Sequence, residues 1–297
     1  SVSATLQDRS GEGIDTDGST IRLQGPNGAE IAGRQLAPPQ GAGTSQSTLT
    51  WELNTPPSRD GQSDGEYTIR LKVIDKAGNL LETGKTFVYD TLIPQVESVA
   101  ANTTPSTPIT AEGLEVINQS FTEISIVLSD ANDKAPAPSP KVSGVDLVST
   151  NVRLLAPGNT AIGINTRDDG VDTITISFAQ LRQPGTYTLE ITPRDLAGNV
   201  SGHALQYKFS LDVARPTVSA VTIGGRTAPV TFVNRLDEVV ASFVDAGGTG
   251  LNLTPDGSTI TVTGPKGAVE GIQSSRVQNQ ISWTPLQLAT DGSADGV

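Results

Sequence analysis

The sequence predicts an all-β chain of tandem sandwich domains, and three observations predict it. Short runs alternate polar and apolar residues, clusters of Gly, Pro, Asn, Asp and Ser separate them, and whole segments return at domain-sized offsets. Gly65-Glu66-Tyr67-Thr68-Ile69-Arg70-Leu71, followed by Asp75-Lys76-Ala77-Gly78-Asn79, returns as Gly185-Thr186-Tyr187-Thr188-Leu189-Glu190-Ile191, followed by Asp195-Leu196-Ala197-Gly198-Asn199. From Asp75 to Asp195 the offset is 120 residues. Asp17-Gly18-Ser19-Thr20-Ile21 with Gly25-Pro26 returns as Asp256-Gly257-Ser258-Thr259-Ile260 with Gly264-Pro265, an offset of 239, nearly two such periods. A solenoid repeats every ~20 to 50 residues, so a period of about 120 is a small domain in itself.

Taken in order, the first copy (1–93) opens on Ser1 to Asp8, which aligns with Ile124 to Asp130 and Val239 to Asp245. The strand preceding those two segments has no counterpart here, so the first copy is expected to lack its first strand. Leu49, Trp51 and Leu53 alternate on one side of a strand, and Tyr67 to Val73 alternates likewise. In the second copy (94–214), Thr173 to Phe178 has the same period, and helical periodicity reaches no more than a turn, around Phe178 to Leu181. The third copy (215–297) offers Thr259 to Thr263 and the Ile281, Trp283 pair, and ends at Gly296-Val297, aligned with Gly65-Glu66. It is expected to lack its last strands, as if the 297 residues were a window on a longer array. No apolar signal segment opens the chain and Met is absent.

Composition narrows the function classes. Cys is absent, which excludes disulfides and thiolate chemistry, and 18% charged with 4% aromatic residues makes for thin cores. A net charge of −12 excludes the basic footprint of a nucleic-acid or anionic-membrane binder and suits solubility or cation binding. One His, no Cys and no Gly-rich phosphate loop leave no catalytic constellation, and the carboxylates fall at turns of repeated units rather than in one cleft. No enzyme activity is expected.

About seven short strands in each ~100 to 120 residues is the count of an immunoglobulin-like sandwich. Four motifs make the likeness more specific: Asp8 to Asp15 as an Asp-loop-Gly-Ile-Asp segment, the Gly65 to Thr68 strand opening, the Asp75 to Asn79 turn, and Asp90-Thr91-Leu92-Ile93-Pro94 as a linker. With these the chain resembles the bacterial immunoglobulin-like repeats found in tandem in large cell-surface and secreted proteins. The resemblance spans the whole chain and implies the fold more than a function, since such repeats serve adhesins, matrix proteins and enzyme accessory regions. The second copy departs from it, replacing the Asp8 to Asp15 loop with a longer one, Asp130 to Asp146, that contains Pro136, Pro138 and Pro140.

Tyr67 and Tyr187 sit where a tyrosine corner places the ring in the core and the hydroxyl on nearby backbone. Trp51 and Trp283 are read as core rather than as a sugar-stacking platform, and the lone His203 as a solvated loop residue. The candidate metal ligands lie at one end of each sandwich, where two loops meet the last strand of the preceding domain. For the first junction they are Asp90, Asp130, Asp133, Asp195 and Asn199, and for the second Asp212, Asp245 and Asp256. Asp8, Asp15, Asp75 and Asn79 would face a domain before the first. Calcium is the cofactor these residues suit, because it takes six to eight oxygens from flexible loops. The competing reading makes each Asp a turn cap, with Asn and Gly in left-handed positions.

Two function classes follow. The first is a structural or adhesive stalk or scaffold, extracellular or at the cell surface; its partners are neighbouring domains of the same chain, with no nucleic acid and no membrane insertion. The linkers Tyr89 to Val96 and Leu211 to Val218, each with one Pro and no Gly/Ser run, predict close, semi-rigid neighbours. The alternative is a carbohydrate-binding accessory module of a secreted enzyme, whose site would be the Asn132 to Val145 insertion, or a self-associating subunit of a surface layer or fibre. Asn102, Asn118, Asn199 and Asn252 stand in glycosylation sequons.

Overall fold

The computed structural model describes residues 1–9, 11–37, 46–130, 142–229, 233, 236–246, 250, 251, 253, 257–264, 267–276 and 279–287. Among these the chain is all β, with no helix.

Residues 2–89 form two three-stranded sheets. One runs β1 (Val2–Gln7), β4 (Gln46–Leu53), β3 (Gly33–Gln35); the other runs β2 (Ile14–Gln24), β5 (Gly65–Asp75), β6 (Leu80–Tyr89). Alternation sends Leu6, Leu49 and Trp51 from the first and Ile21, Leu23, Tyr67 and Val73 from the second into one core.

Residues 95–211 make a fuller sandwich of two five-stranded sheets. β7 (Gln95–Ala101) and β8 (Thr107–Pro108) join β10 (Glu123–Ser129), β13 (Ile164–Asp168) and β14 (Thr173–Phe178) in the order β13-β14-β10-β7-β8. Facing them, β9 (Glu115–Ile117), β11 (Asn151–Ala156), β12 (Thr160–Ile162), β15 (Gly185–Thr192) and β16 (Leu205–Leu211) are ordered β12-β11-β15-β16-β9. Ile124, Ile126 and Leu128 on one side meet Tyr187, Leu189, Phe209 and Leu211 on the other.

In the last stretch, β17 (Thr217–Ile223), β18 (Arg226–Thr227) and β19 (Val239–Val244) combine with β22 (Gly271–Arg276) and β23 (Gln280–Pro285) in one sheet, beside a hairpin of β20 (Val262–Gly264) and β21 (Gly267–Val269). The expected strand over Thr259 to Thr263 pairs only from Val262. The Ile260 N–H is taken instead by the Gln273 side chain (2.7 Å), so a side chain does the work of a strand neighbour there.

The repeat seen in the sequence is a repeat of packing. Tyr67 donates its hydroxyl to Ser63 O and Tyr187 to Gln183 O, both at 2.7 Å and both four residues back. Trp51 and Trp283 are buried at 5% and 4% exposure, which leaves no platform for a sugar ring. Each tryptophan rests on a glycine that sequence reading had passed over. A Cβ on Gly33 would collide with the Trp51 indole, and one on Gly271 with that of Trp283. Two residues on, Gln35 and Gln273 bind the backbone of Ile21 and Ser19, and of Ile260 and Ser258. Phe178 and Leu181 are core residues, and His203 is exposed.

Candidate functional site

Asp90 follows β6, Asp130 follows β10 and Asp195 follows β15, and the sandwich of 95–211 gathers the three. One carboxylate oxygen from each lies within 4.8 Å of the other two. Asp90 and Asp195 are buried at 7% and 1% exposure, while Asp130 is half-buried.

Backbone geometry holds each carboxylate. Asp130 Oδ2 accepts from Gly144 N (2.6 Å) and from Ser143 Oγ (3.4 Å). Gly144 has φ +90°, which turns its N–H toward that carboxylate at little cost only because it lacks a Cβ. Asp195 Oδ1 accepts from Asn199 N and its Oδ2 from Asn199 Nδ2, both at 2.7 Å. Asn199 Nδ2 also donates to Asp90 O (3.0 Å), and Ser143 N donates to Asp90 Oδ2 (2.7 Å). Burial, and then the charges of Asp90 and Asp195, push the Asp130 carboxyl up to about 6.

The first-loop bond recurs in both other units, and the Asp-Asn cap recurs in the first. Gly13 N donates to Asp8 Oδ2 (2.8 Å) and Gly250 N to Asp245 Oδ2 (2.9 Å), at φ +92° and +93°. Asn79 caps Asp75 as Asn199 caps Asp195, again at 2.7 Å for both bonds, and these bonds, the side-chain amide first, hold the Asp75 carboxyl below its ordinary value. Asp15 accepts from Asp17 N and Gly18 N in a turn of its own. Asp212 is buried, and its N–H donates to Ile117 O (2.9 Å). Asp133 and Asp256, with Asn252, Gly296-Val297 and most of the Pro-rich insertion, lie outside the described residues. Among the described residues, the three-carboxylate group occurs at the first junction.

Sequence reading missed the residue that fixes the linker from behind. Asp64, fully buried, accepts from Thr91 N (3.0 Å) and Thr91 Oγ1 (2.9 Å). Thr91 is thus tied to the sandwich before it while Asp90, its neighbour, is tied to the loops of the one after. The signal lay in the residue directly ahead of the Tyr67 strand, where the second copy has Pro184 instead. Asn199, a sequon residue, has its amide engaged twice.

Comparison with known proteins places the resemblance on one stretch. Residues 172–266 match the family model of the bacterial Ig-like domain (group 3). That stretch is Ig-like in sequence. It runs from the end of the 95–211 sandwich into the last sheet. No curated protein matches the chain. Among solved structures, a tetra-tandem repeat in the extending region of a large adhesion protein is 15% identical, covering 97% of this chain and 62% of that one (TM-score 0.31). CopC from Methylosinus trichosporium OB3b is 14% identical, covering 39% and 94% (TM-score 0.26). The BSP domain of a biofilm associated protein is 10% identical, covering 96% and 55% (TM-score 0.25). No helix among the described residues is long and apolar enough to cross a membrane.

Proposed function

We propose that the chain is a non-catalytic structural segment of an extracellular or cell-surface protein. Units 1–93, 94–214 and 215–297 follow one another as a stalk or adhesive scaffold, stiffened by calcium at the first junction. The observation that carries this reading is the linker residue Asp90, whose side chain and carbonyl are both bound by loops of the next sandwich.

The chemistry of the donors supports the cation. Like charges about 4 Å apart repel by roughly 4 kcal/mol at an effective dielectric of about 20. Three carboxylates gathered this closely are stabilised by a proton or by a hard divalent ion. Asp130 takes the proton up to about pH 6. Above that pH calcium serves instead, with Asp90, Asp130 and Asp195 as its ligands and Asn199 as the bracket that orients Asp195. The turn-cap reading suits Asp15, Asp75 and Asn79, whose bonds are local. Carbohydrate binding finds no exposed tryptophan among the described residues.

Small-angle scattering and thermal melting of this chain, in millimolar calcium and again in chelator, test the proposal. An extended profile that loosens and melts lower in chelator is the expected result. A profile and melting curve indifferent to calcium would reduce the aspartates to turn caps.

A further inference from the structure

The first and middle units carry the same row of three outward positions with different contents. In the middle unit Arg153, Glu190 and Gln206 stand side by side across β11, β15 and β16. Arg153 Nη1 donates to Glu190 Oε2 (3.1 Å) and Gln206 Nε2 to Glu190 Oε1 (3.3 Å), so the row closes around one carboxylate. Across β2, β5 and β6 the row reads Arg22, Arg70 and Gly84, with the equivalence set by Tyr67 opposite Phe87 and Tyr187 opposite Phe209. The carboxylate has become a guanidinium, the amide is gone, and Lys72 stands at the next outward position where the middle unit has Thr192. Arg22 ion-pairs with Glu30 and lies 5.7 Å from the Trp51 ring centre, toward the edge of the sheet. Arg70 Nε donates to Gln24 Oε1 (3.0 Å), and among the described residues neither Arg70 nor Lys72 has an ion pair.

Gly84 opens this row. Its φ is not positive, a Cβ there would make only ordinary contacts, the nearest at 3.4 Å to Ile69 O, and the β5–β6 register runs through it without a bulge. The backbone therefore does not require a glycine at this point in mid-strand, where glycine weakens the strand and marks the close approach of a ligand. Two arginines directly opposite one another are unfavourable as well, unless an anion offsets them. A depression of about 340 Å³ lies here, and Thr20, Arg22, Arg70, Lys72 and Glu82 help to line it.

We infer that this depression binds the carboxylate of an acidic sugar, a uronic-acid residue of a glycan, at the place where the middle unit holds its own Glu190 carboxylate. Arg70 and Lys72 take the charge. Thr20 and Glu82 take the ring hydroxyls, Glu82 as acceptor. Glu82 also sets the class of ligand. It repels a second negative charge beside the first, which disfavours a densely sulfated polymer, and an acidic peptide has no hydroxyls next to its carboxylate to satisfy it. Recognition through charge needs no stacking tryptophan. The site goes beyond the stalk reading and does not involve the cation at the junction.

The test uses the intact 297-residue chain in chelator at low ionic strength, with a labelled short oligogalacturonate as probe. Saturable binding is expected, weaker by about tenfold or more for the methyl-esterified oligomer and for the chain carrying Arg70→Glu with Gly84→Gln, which rebuilds the closed row of the middle unit. That chain should melt like the parent, since position 84 has room for a Cβ. If it melts lower, Lys72→Thr, which leaves Gly84 untouched, serves as the deciding variant and should also weaken binding. Absence of saturable binding by the parent chain overturns the inference, as does undiminished binding by the deciding variant or by the methyl ester. Tighter binding of a polyglutamate peptide or of a sulfated polymer than of the oligogalacturonate overturns the assignment to an acidic sugar.

Discussion

The Asn199 side-chain amide donates to the Asp90 carbonyl at 3.0 Å across 109 residues of sequence. The same nitrogen holds Asp195 Oδ2, so a loop residue that caps its own turn also grips the linker from the preceding sandwich. Turn chemistry and junction chemistry share one side chain, and variants at the junction separate them.

Asp90→Asn keeps the shape and the carbonyl bond to Asn199 but removes one of three charges. Each sandwich should melt as before in chelator, while the response of scattering and melting temperature to calcium shrinks. Asp212→Asn is the matched variant at the second junction. Unchanged calcium-dependent scattering for both would refute stiffening.

Asp130 sets a pH dependence. Its folded pKa of about 6 lies above the ordinary 3.8, so folding takes up a proton between those values. The stability it contributes is complete below about 3.8 and lost as pH rises through about 6. In chelator the chain should therefore melt higher at pH 5 than at pH 7, after subtraction of the same difference in Asp130→Asn. Saturating calcium, which competes with the proton, should cancel or reverse that trend.

Tyr187→Phe removes a hydroxyl that satisfies Gln183 O and leaves the stacked ring in place. A loss of about 1 kcal/mol in denaturant unfolding of the middle sandwich is expected. Tyr67→Phe should cost a similar amount in the first, through Ser63 O.

Gly271→Ala drives a methyl group into the Trp283 indole. Overpacking of this kind costs about 1 to 3 kcal/mol. Near-ultraviolet circular dichroism of the tryptophans should change together with the melting temperature, and Gly33→Ala should do the same at Trp51.

The strand β14 and the tyrosine corners were legible in the sequence because each depends on alternation and on partners four residues away. The β20 strand was legible only in part, since Gln273, 13 residues from Ile260, takes over its backbone bond. Asp64 escaped notice because a lone Asp before a strand looks like any turn residue until Thr91 is folded back onto it. The Gly33 and Gly271 contacts escaped for the same reason, since a glycine in a strand names no partner.

The sequence by itself determined the β period, the spacing of the repeats, the turns at Asp75 to Asn79 and Asp195 to Asn199, and the net acidity of the chain. Those are set by local backbone preference and by composition. Only the tertiary structure decided that Asp90, Asp130 and Asp195 meet within 4.8 Å and that β9 lies parallel on β16. Residues 40 to 109 positions apart meet only when two sheets pack and a linker is clamped. The energies that decide this come from burial and long-range pairing, which no local window of sequence contains.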